Sequence, residues 1–337
     1  MMQQIATAAG LRYASAVDLN SLLEECRGRI LGVVGFGKPS RSPKDVASAW
    51  VDMPAIGTDR AFEVWTSTSP VQMQTSGRIR SACNAQILFG CVEIPEDDRT
   101  GYDVLIYNDY CRIFDHLDAL GYPKLLRIWH YLPDIHRDEG ALERYKRFSM
   151  GRHEAFVAKG RAISTDAPAA SAVGKRSGNT VICFLAAPQA GIPIENPRQV
   201  SAYSYPAQYG PRGPTFSRAL FTAWDDQQQL YISGTAAIRG HLSQHEGDAA
   251  EQAGETILNL RSVTDAAHAR GLIDVRQSTE LLFKVYVRQP ELRATVETHL
   301  RDAFGPAPSI MYLQADICRR ELLLEVEAVC VTGSGSL

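Results

Sequence analysis

The segment TELLFKVYV (279–287) decides the fold of the second half of the chain, because its β-branched and aromatic residues predict a strand. Two segments with helical spacing of apolar residues flank this strand, at 248–270 and 290–304. A glycine follows each of the two helical segments, as is common where a helix ends. Two further strands are predicted at 309–315 and 322–331.

Short strands are also predicted ahead of the first of these helices. They lie at 181–187, 200–205, 215–222 and 230–238. The resulting order of several strands, helix, strand, helix and two strands predicts an α+β domain, in which one mixed sheet carries two helices packed on one face.

The first half repeats the central part of this order. It reads as a strand, a helix ending at a glycine, a strand and a helix, at 87–94, 102–120, 125–131 and 140–156. We therefore predict an α+β protein of two related halves, consistent with a duplication. A stretch at 164–178 is rich in Ala, Ser, Pro and Gly, which predicts a linker. The predicted domains are accordingly 1–170 and 171–337, and no role is assigned to the first 60 or so residues.

The composition excludes several classes of protein. The chain has 337 residues, with 35 basic and 38 acidic side chains and a formal net charge of −3. This balance argues against binding nucleic acid through a basic field. An apolar fraction of 45% excludes a disordered chain. No apolar run approaches the roughly 18 residues that a membrane-spanning helix needs.

The seven cysteines are odd in number, scattered and without a C-x-x-C pair. This pattern favours reduced thiols in the cytosol. The N-terminus lacks the pattern of a signal peptide, so we predict a cytoplasmic protein. His241 and His245 are four residues apart but have no third ligand nearby, and the glycine-rich stretch 32–38 matches no nucleotide-binding motif. The sequence therefore predicts no metal and no cofactor.

Arginines and tyrosines alternate in two short segments, RYKRFSMGR (144–152) and YSYPAQYGPRGPTFSR (203–218). Tyr145 and Arg152 are two helical turns apart, so both can project from one face. Guanidinium groups bind carboxylates in bidentate fashion, and tyrosine hydroxyls add directed hydrogen bonds. Two such sets fit a small dicarboxylate. Surface arginines stacked on exposed tyrosines would give the same pattern, and this alternative stays open.

The last strand, LLLEVEAV (322–329), places Glu325 and Glu327 on one face of an otherwise apolar segment. Burying a carboxylate is costly unless it is paired or protonated. Burial raises the pKa of such an acid, which favours a proton donor that works near neutral pH. A strand whose glutamate face meets solvent or another subunit is the alternative.

Several motifs resemble known families. YISGTAA (231–237), TELLFKVYV and LLLEVEA (322–328) are similar to the YjgF/RidA family, whose last strand reads E-x-E-A and whose first Glu, Glu325 here, belongs to the active site. A longer resemblance, over residues 85–330, is to the chorismatases. It is carried by RIWHYLPDI (127–135), RYKRFSMGR (144–152), YPAQYGPRGPTFSRA (205–219), SGTAAIRGH (233–241) and YLQADICRRELLLEVEA (312–328).

The chorismatase resemblance implies chorismate as substrate and a YjgF/RidA-like second half that carries most of the chemistry. It implies one carboxylate clamp from Tyr145 and Arg152 and another from Tyr205 and Arg218. Glu325 would protonate the enol ether, with no metal or organic cofactor. Further implied site residues are Tyr209, Arg212, Gly234, Thr235, Ala236 and Cys318, where a cysteine resembles that of the hydroxybenzoate-forming members. Leu242 stands near a place where the resemblance leads us to expect a small residue.

The expected reaction is cleavage of chorismate to pyruvate and a hydroxybenzoate, chiefly 3-hydroxybenzoate, alone or with 4-hydroxybenzoate. One alternative is a chorismate hydrolase that forms a dihydroxycyclohexadiene carboxylate. Alternatives of other classes are a RidA-like imine or enamine deaminase and a non-catalytic small-molecule binding protein. We expect no nucleic-acid or membrane partner, and the choice between a monomer and a homotrimer stays open.

Overall fold

The computed structural model describes residues 9–38, 43, 45–96, 99–224 and 227–333. Within these ranges the chain opens with a four-stranded sheet of order β1-β4-β2-β3. Its elements are β1 (Gly10–Ser15), α1 (Ala16–Glu25), β2 (Ile30–Phe36), β3 (Ser48–Val51) and β4 (Arg60–Thr66). We call this the N-terminal sheet. None of the helices in the described part of the chain is both long and apolar enough to cross a membrane.

A first six-stranded sheet follows, with α2 and α3 packed on one face. Its elements are β5 (Gln72–Ser76), β6 (Ile79–Cys83), β7 (Leu88–Ile94), α2 (Tyr102–Leu120), β8 (Lys124–Pro133), the hairpin β9 (Asp138–Glu139) and β10 (Leu142–Glu143), α3 (Arg144–Ala158), β11 (Ala169–Lys175) and β12 (Thr180–Ala187). We call it the first sheet. The helices and strands predicted between 87 and 156 are confirmed to within a few residues at their ends.

The second sheet is also six-stranded, with α4 and α5 on one face. Its elements are β13 (Ile192–Ile194), β14 (Ala219–Ala223), β15 (Gln227–Thr235), the hairpin β16 (Ile238–Arg239) and β17 (Leu242–Ser243), α4 (Ala249–Ala269), β18 (Glu280–Val287), α5 (Arg293–Phe304), β19 (Ser309–Gln314) and β20 (Leu324–Gly333). Asp248 caps α4, because its side chain accepts hydrogen bonds from the backbone N–H groups of Ala250 and Glu251.

The two six-stranded sheets have one topology. Their strand orders are β5-β6-β7-β12-β8-β11 and β13-β14-β15-β20-β18-β19. In each sheet the last pair is parallel, β8 with β11 and β18 with β19, and a helix connects the two strands of that pair. The central pairs of both sheets are antiparallel. The prediction of an α+β protein with two related halves is confirmed.

The predicted linker at 164–178 is wrong, because β11 lies within it and pairs with β8 along its whole length. The small residues of this segment serve close packing. A Cβ at Gly174 would lie 2.7 Å from the Cβ of Asp316 and 2.8 Å from Ile135 Cγ2. A domain boundary at 170 would cut β11. We propose to place the boundary after Ala187, where the first sheet ends.

The strand predicted at 200–205 is also wrong. Ala202–Ser204 forms a single 3₁₀ turn, and the strand predicted at 215–222 begins only at Ala219. Pro206, Pro211 and Pro214 lie between these points and cannot donate a backbone hydrogen bond to a sheet. The intervening residues instead form a loop that reaches the cavity described below.

The inner faces of all three sheets share one apolar core. Trp65 on β4 lies 5.6 Å from Trp129 on β8 and 6.4 Å from Tyr231 on β15, measured between ring centroids. Charged groups also meet there: Lys284 on β18 pairs with Glu63 on β4 and with Glu327 on β20. The N-terminal sheet, which includes residues that had no predicted role, therefore closes the inner faces of the other two.

Candidate active site

A cavity of about 260 Å³ lies between the two halves. Its walls come from α3 and β11 of the first half, and from β15, the 199–218 loop and the 318–325 segment of the second. Most of the predicted site residues line it: Tyr145, Arg152, Tyr205, Tyr209, Arg218, Gly234, Ala236, Cys318 and Glu325. Tyr145 and Glu325, which are 180 positions apart in the sequence (325 − 145), are thus brought into one cavity.

Three expected residues do not line the cavity. Arg212 is half-exposed and pairs with Glu154 outside it, at 3.0 Å. Thr235 lies between the two cavity residues Gly234 and Ala236, and successive side chains along a strand point to opposite faces. Its hydroxyl donates to the backbone oxygen of Ser233 at 2.8 Å. Leu242 is 52% exposed on the β16–β17 hairpin, so it does not shape the pocket.

Glu325 is buried at the base of the cavity, and its Oε1 atom has no hydrogen-bond partner among the described residues. Burial raises the pKa of Glu325 to about 8, and the negative charge of Glu327 adds to the effect. The positive charge of Arg127 opposes it only in part. Glu325 is therefore mostly a neutral acid at pH 7.

Glu327, only two residues away, is ionised instead. Its carboxylate pairs with Arg127 at 2.7 Å and with Lys284 at 2.9 Å, and it accepts a hydrogen bond from Trp129 Nε1 at 2.7 Å. Burial alone would raise the pKa of Glu327, but the charges of Lys284 and Arg127 bring it below its ordinary value. One ionised and one protonated glutamate thus share a face of β20.

Gly234 permits this arrangement. Strand β15 has a bulge here, so that Ser233 and Gly234 together lie opposite Glu327. A Cβ at position 234 would lie 2.0 Å from Glu325 Oε1 and 3.1 Å from Ser171 Oγ. A side chain at this position would displace the carboxyl group.

Arg152 is buried, and its Nε and Nη2 atoms have no partner among the described residues. Its guanidinium carbon lies 5.6 Å from the ring centroids of both Tyr110 and Phe156, which hold it in place by cation–π contact. Nε and Nη2 form the edge with which an arginine binds a carboxylate in bidentate fashion. Tyr145, on the same helix, is a neutral phenol whose pKa burial raises well above its ordinary value.

Arg218 contacts Tyr205, the residue with which the family resemblance paired it. Its Nη2 donates to Tyr205 Oη at 2.8 Å and to the backbone oxygen of Val200 at 2.7 Å. Its Nε is buried and has no partner among the described residues. The two residues predicted to form the second clamp are therefore in contact, and Arg218 Nε points to no partner within the described residues.

Cys318 lies in the connection between β19 and β20. Burial raises the pKa of its thiol to about 12, and the nearby Glu325 carboxyl adds to the effect. The thiol is therefore neutral at pH 7, so it can shape the cavity wall but has little thiolate for nucleophilic chemistry.

The sequence did not single out Arg319 or Ser171, which also line the cavity. Ser171 lay in the supposed linker, yet its hydroxyl donates to Glu327 and accepts from Arg127 Nη2. Arg319 stands beside Cys318 in the run CRR, directly before an apolar strand. A basic residue shortly before a strand that carries a candidate acid is the sequence signal that would have indicated Arg319.

Comparison with known proteins finds relatives that span almost the whole chain. The family model described as chorismatase FkbO/Hyg5-like, N-terminal, matches residues 63–186. A 3-hydroxybenzoate synthase from Streptomyces hygroscopicus is 34% identical over 317 residues, which cover 89% of this chain and 91% of that protein. A chorismatase crystal structure superposes with a TM-score of 0.85 at 29% identity and covers 96% of this chain and 99% of its own. YyfA of Yersinia pestis, a Rid-family protein, aligns with 42% of this chain at 20% identity and a TM-score of 0.31.

Proposed function

The chain belongs to the chorismatase family, and from this premise we propose that it cleaves the enolpyruvyl ether of chorismate to pyruvate and 3-hydroxybenzoate. The observation that carries the proposal is the placement of a neutral, buried Glu325 in the same cavity as the unpartnered nitrogens of Arg152 and Arg218. An acid-labile ether flanked by two carboxylates needs these groups together.

The charges of the cavity support a dianionic substrate. Chorismate has a ring carboxylate and a second carboxylate on its enolpyruvyl group. Arg152 takes one carboxylate with its Nε and Nη2 atoms, and the Tyr145 hydroxyl adds a hydrogen bond. Arg218, held by Tyr205, takes the other. Both guanidinium groups are desolvated before the substrate arrives, which strengthens their attraction for it.

Glu325 begins the reaction by giving its proton to the terminal methylene of the enol ether. The product of this step is an oxocarbenium ion, which the new Glu325 carboxylate stabilises. A pKa near the working pH suits such a donor, because the acid is present and still transfers its proton readily.

The ring then determines the products. In the first route, the oxygen of the substrate's own hydroxyl attacks the neighbouring ring carbon that bears the ether. The bond from that carbon to the ether oxygen breaks, pyruvate leaves, and aromatisation of the ring gives hydroxybenzoate. Aromatisation releases one proton, which restores the Glu325 acid, so this route consumes no water. Attack by water would instead consume one water molecule and give the dihydroxycyclohexadiene carboxylate. The neutral Cys318 thiol beside Glu325 favours the first route, because it fills part of the wall that a water molecule would otherwise occupy.

Product analysis tests the proposal. The purified protein is incubated with chorismate, pyruvate is measured by a coupled assay, and the ring product is identified by chromatography against standards. We expect pyruvate and 3-hydroxybenzoate in equal amounts. Pyruvate with the diene diol would establish the hydrolase instead. Chorismate binding without pyruvate, or ammonia release from an imine substrate with chorismate inert, would overturn the proposal.

The protonation state of Glu325 predicts the pH dependence. Only the protonated acid is active, and its pKa is raised to about 8. We therefore expect kcat/KM for chorismate to be level from pH 6 to 7 and to fall about tenfold per pH unit above 8. Thermal melting across the same range shows that the protein remains folded. A rate that rises through pH 8 would contradict the role of Glu325 as an acid.

Gly234→Ala tests the position of the acid. The added methyl group would lie 2.0 Å from Glu325 Oε1, so the carboxyl group must move away. A misplacement of about 1 Å is enough to impair catalysis. We expect kcat to fall by about 10²-fold. Gly254→Ala is the matched control, because a Cβ there meets nothing within 4 Å. Equal activity of both variants would show that the Gly234–Glu325 approach does not matter.

We also propose that the enzyme is a cytoplasmic monomer. The inner faces of the three sheets already cover one another within a single chain. All seven cysteines are free thiols. Light scattering should give a mass near 37.1 kDa, and a mass three times larger would contradict the monomer.

A further inference from the structure

Arg319 is a third arginine of the cavity, and neither clamp described above uses it. Its guanidinium carbon lies 4.0 Å from the ring centroid of Tyr209 and 5.3 Å from that of Tyr205. Its Nη1 donates to the backbone oxygen of His241 and to Ser243 Oγ, both at 2.9 Å. Its Nη2 is buried and has no partner among the described residues. One side of the guanidinium is thus anchored, and the other retains an unused donor.

Arg218 alone is an incomplete carboxylate site. Its Nη2 is committed to Val200 and Tyr205, which leaves Nε as its buried donor without a partner in the described structure. A carboxylate has two oxygens, and a buried oxygen left without a donor is costly. Arg152 differs, because its Nε and Nη2 are both available.

Tyr205 brings the two incomplete arginines together. The guanidinium carbon of Arg218 lies 5.5 Å from the centroid of the same ring that Arg319 contacts. Each of the two arginines adds one buried nitrogen that lacks a partner in the described structure. Together these two nitrogens would supply the two donors that a second carboxylate needs.

The other charged side chains that line the cavity already have partners within the protein. Lys146 donates to the backbone oxygen of Gln208, and Arg320 pairs with Glu143 at 3.2 Å. Glu321 accepts a hydrogen bond from Ser243 at 2.7 Å. Arg319 is the remaining lining cation with an unused buried donor, within the part of the chain that the structure describes.

We propose that Arg319 is a substrate-binding residue that completes the clamp of Tyr205 and Arg218. One substrate carboxylate lies between Arg218 Nε and Arg319 Nη2, and Arg152 holds the other. The inference rests on the proposed function, because it needs a ligand with two carboxylates. The alternative is that Arg319 only fastens the β16–β17 hairpin through His241 and Ser243.

The test measures KM and kcat for pyruvate release in Arg319→Ala, Arg319→Lys, Arg218→Ala and the Arg218/Arg319 double-alanine variant. Arg319→Ala should raise KM by about 10²-fold and change kcat much less, since it removes a charge-assisted hydrogen bond. Arg319→Lys, which keeps the charge, should lie between Ala and wild type. The double variant should be far less impaired than the product of the two single effects, because both arginines bind one carboxylate.

Two controls separate binding from folding. Ser243→Ala removes a hairpin contact of Arg319 but leaves its guanidinium in place, and Arg276→Ala removes an exposed arginine. Both should keep KM within about threefold of wild type, and melting curves confirm that every variant is folded. A KM for Arg319→Ala near the wild-type value, strictly independent effects of Arg218 and Arg319, or an equal defect in Ser243→Ala would overturn the inference. Absence of pyruvate with the wild-type protein would instead overturn the proposed function itself.

Discussion

Glu325→Gln should lower kcat for pyruvate release from chorismate by about 10³-fold and leave the affinity for chorismate within a few-fold of wild type. Glutamine has nearly the shape of the protonated acid, so the cavity keeps its form. It has no proton to give to the methylene carbon. Steady-state kinetics provide kcat, and calorimetry with chorismate provides the dissociation constant.

The stability of this variant provides a second reading. The pKa of Glu325 is raised from 4.5 to about 8, so the folded protein holds a proton that the unfolded chain releases. Wild-type stability should therefore fall as the pH rises from about 4.5 to 8. Glu325→Gln removes this penalty, and its melting temperature at pH 9 should equal or exceed that of wild type. Glu154→Gln, at an exposed position, is the control. Near-normal turnover of Glu325→Gln would show that Glu325 has no part in the mechanism.

Arg152→Ala should raise KM for chorismate by about 10²- to 10³-fold, the largest effect expected on binding. The guanidinium group is buried, and two of its nitrogens have no partner among the described residues. Its loss would leave a substrate carboxylate without a cation, facing the rings of Tyr110 and Phe156 that now pack against Arg152. Arg152→Lys should recover part of the affinity, because it restores the charge without the bidentate edge. Initial rates over a range of chorismate concentrations separate KM from kcat.

Arg212→Ala is the matched control for this experiment. Both arginines were candidates from the sequence, but Arg212 is half-exposed and pairs with Glu154 outside the cavity. Its variant should have KM within about twofold of wild type. If Arg212→Ala is as impaired as Arg152→Ala, the carboxylate clamps are wrongly assigned.

The sequence predicted the helices and strands of both halves well, because their apolar periodicity reports directly on the face that is buried. α2 begins and ends where the pattern placed it, at Tyr102 and Leu120. The prediction from sequence failed at 164–178, where the small residues indicated a flexible linker. In β11 the same residues allow Gly174 to approach Ile135 and Asp316, and such close packing depends on partners elsewhere in the chain.

The site was predictable in its residue types but not in its geometry. Motif resemblance brought Arg212 and Thr235 into the site along with their neighbours, yet the direction of each side chain depends on a proline-rich loop and a strand bulge. The opposite protonation states of Glu325 and Glu327 also could not be predicted from the sequence. The low pKa of Glu327 depends on Lys284 and Arg127, which lie on strands of two different sheets.

The proton on Glu325 is the central claim, and infrared spectroscopy observes it directly. The difference between the wild-type spectrum and that of Glu325→Gln isolates the carbonyl band of this one side chain. We predict the band of a protonated carboxylic acid at pH 6 to 7, which gives way to a carboxylate band with a midpoint near pH 8. A carboxylate band already complete at pH 6 would contradict the account.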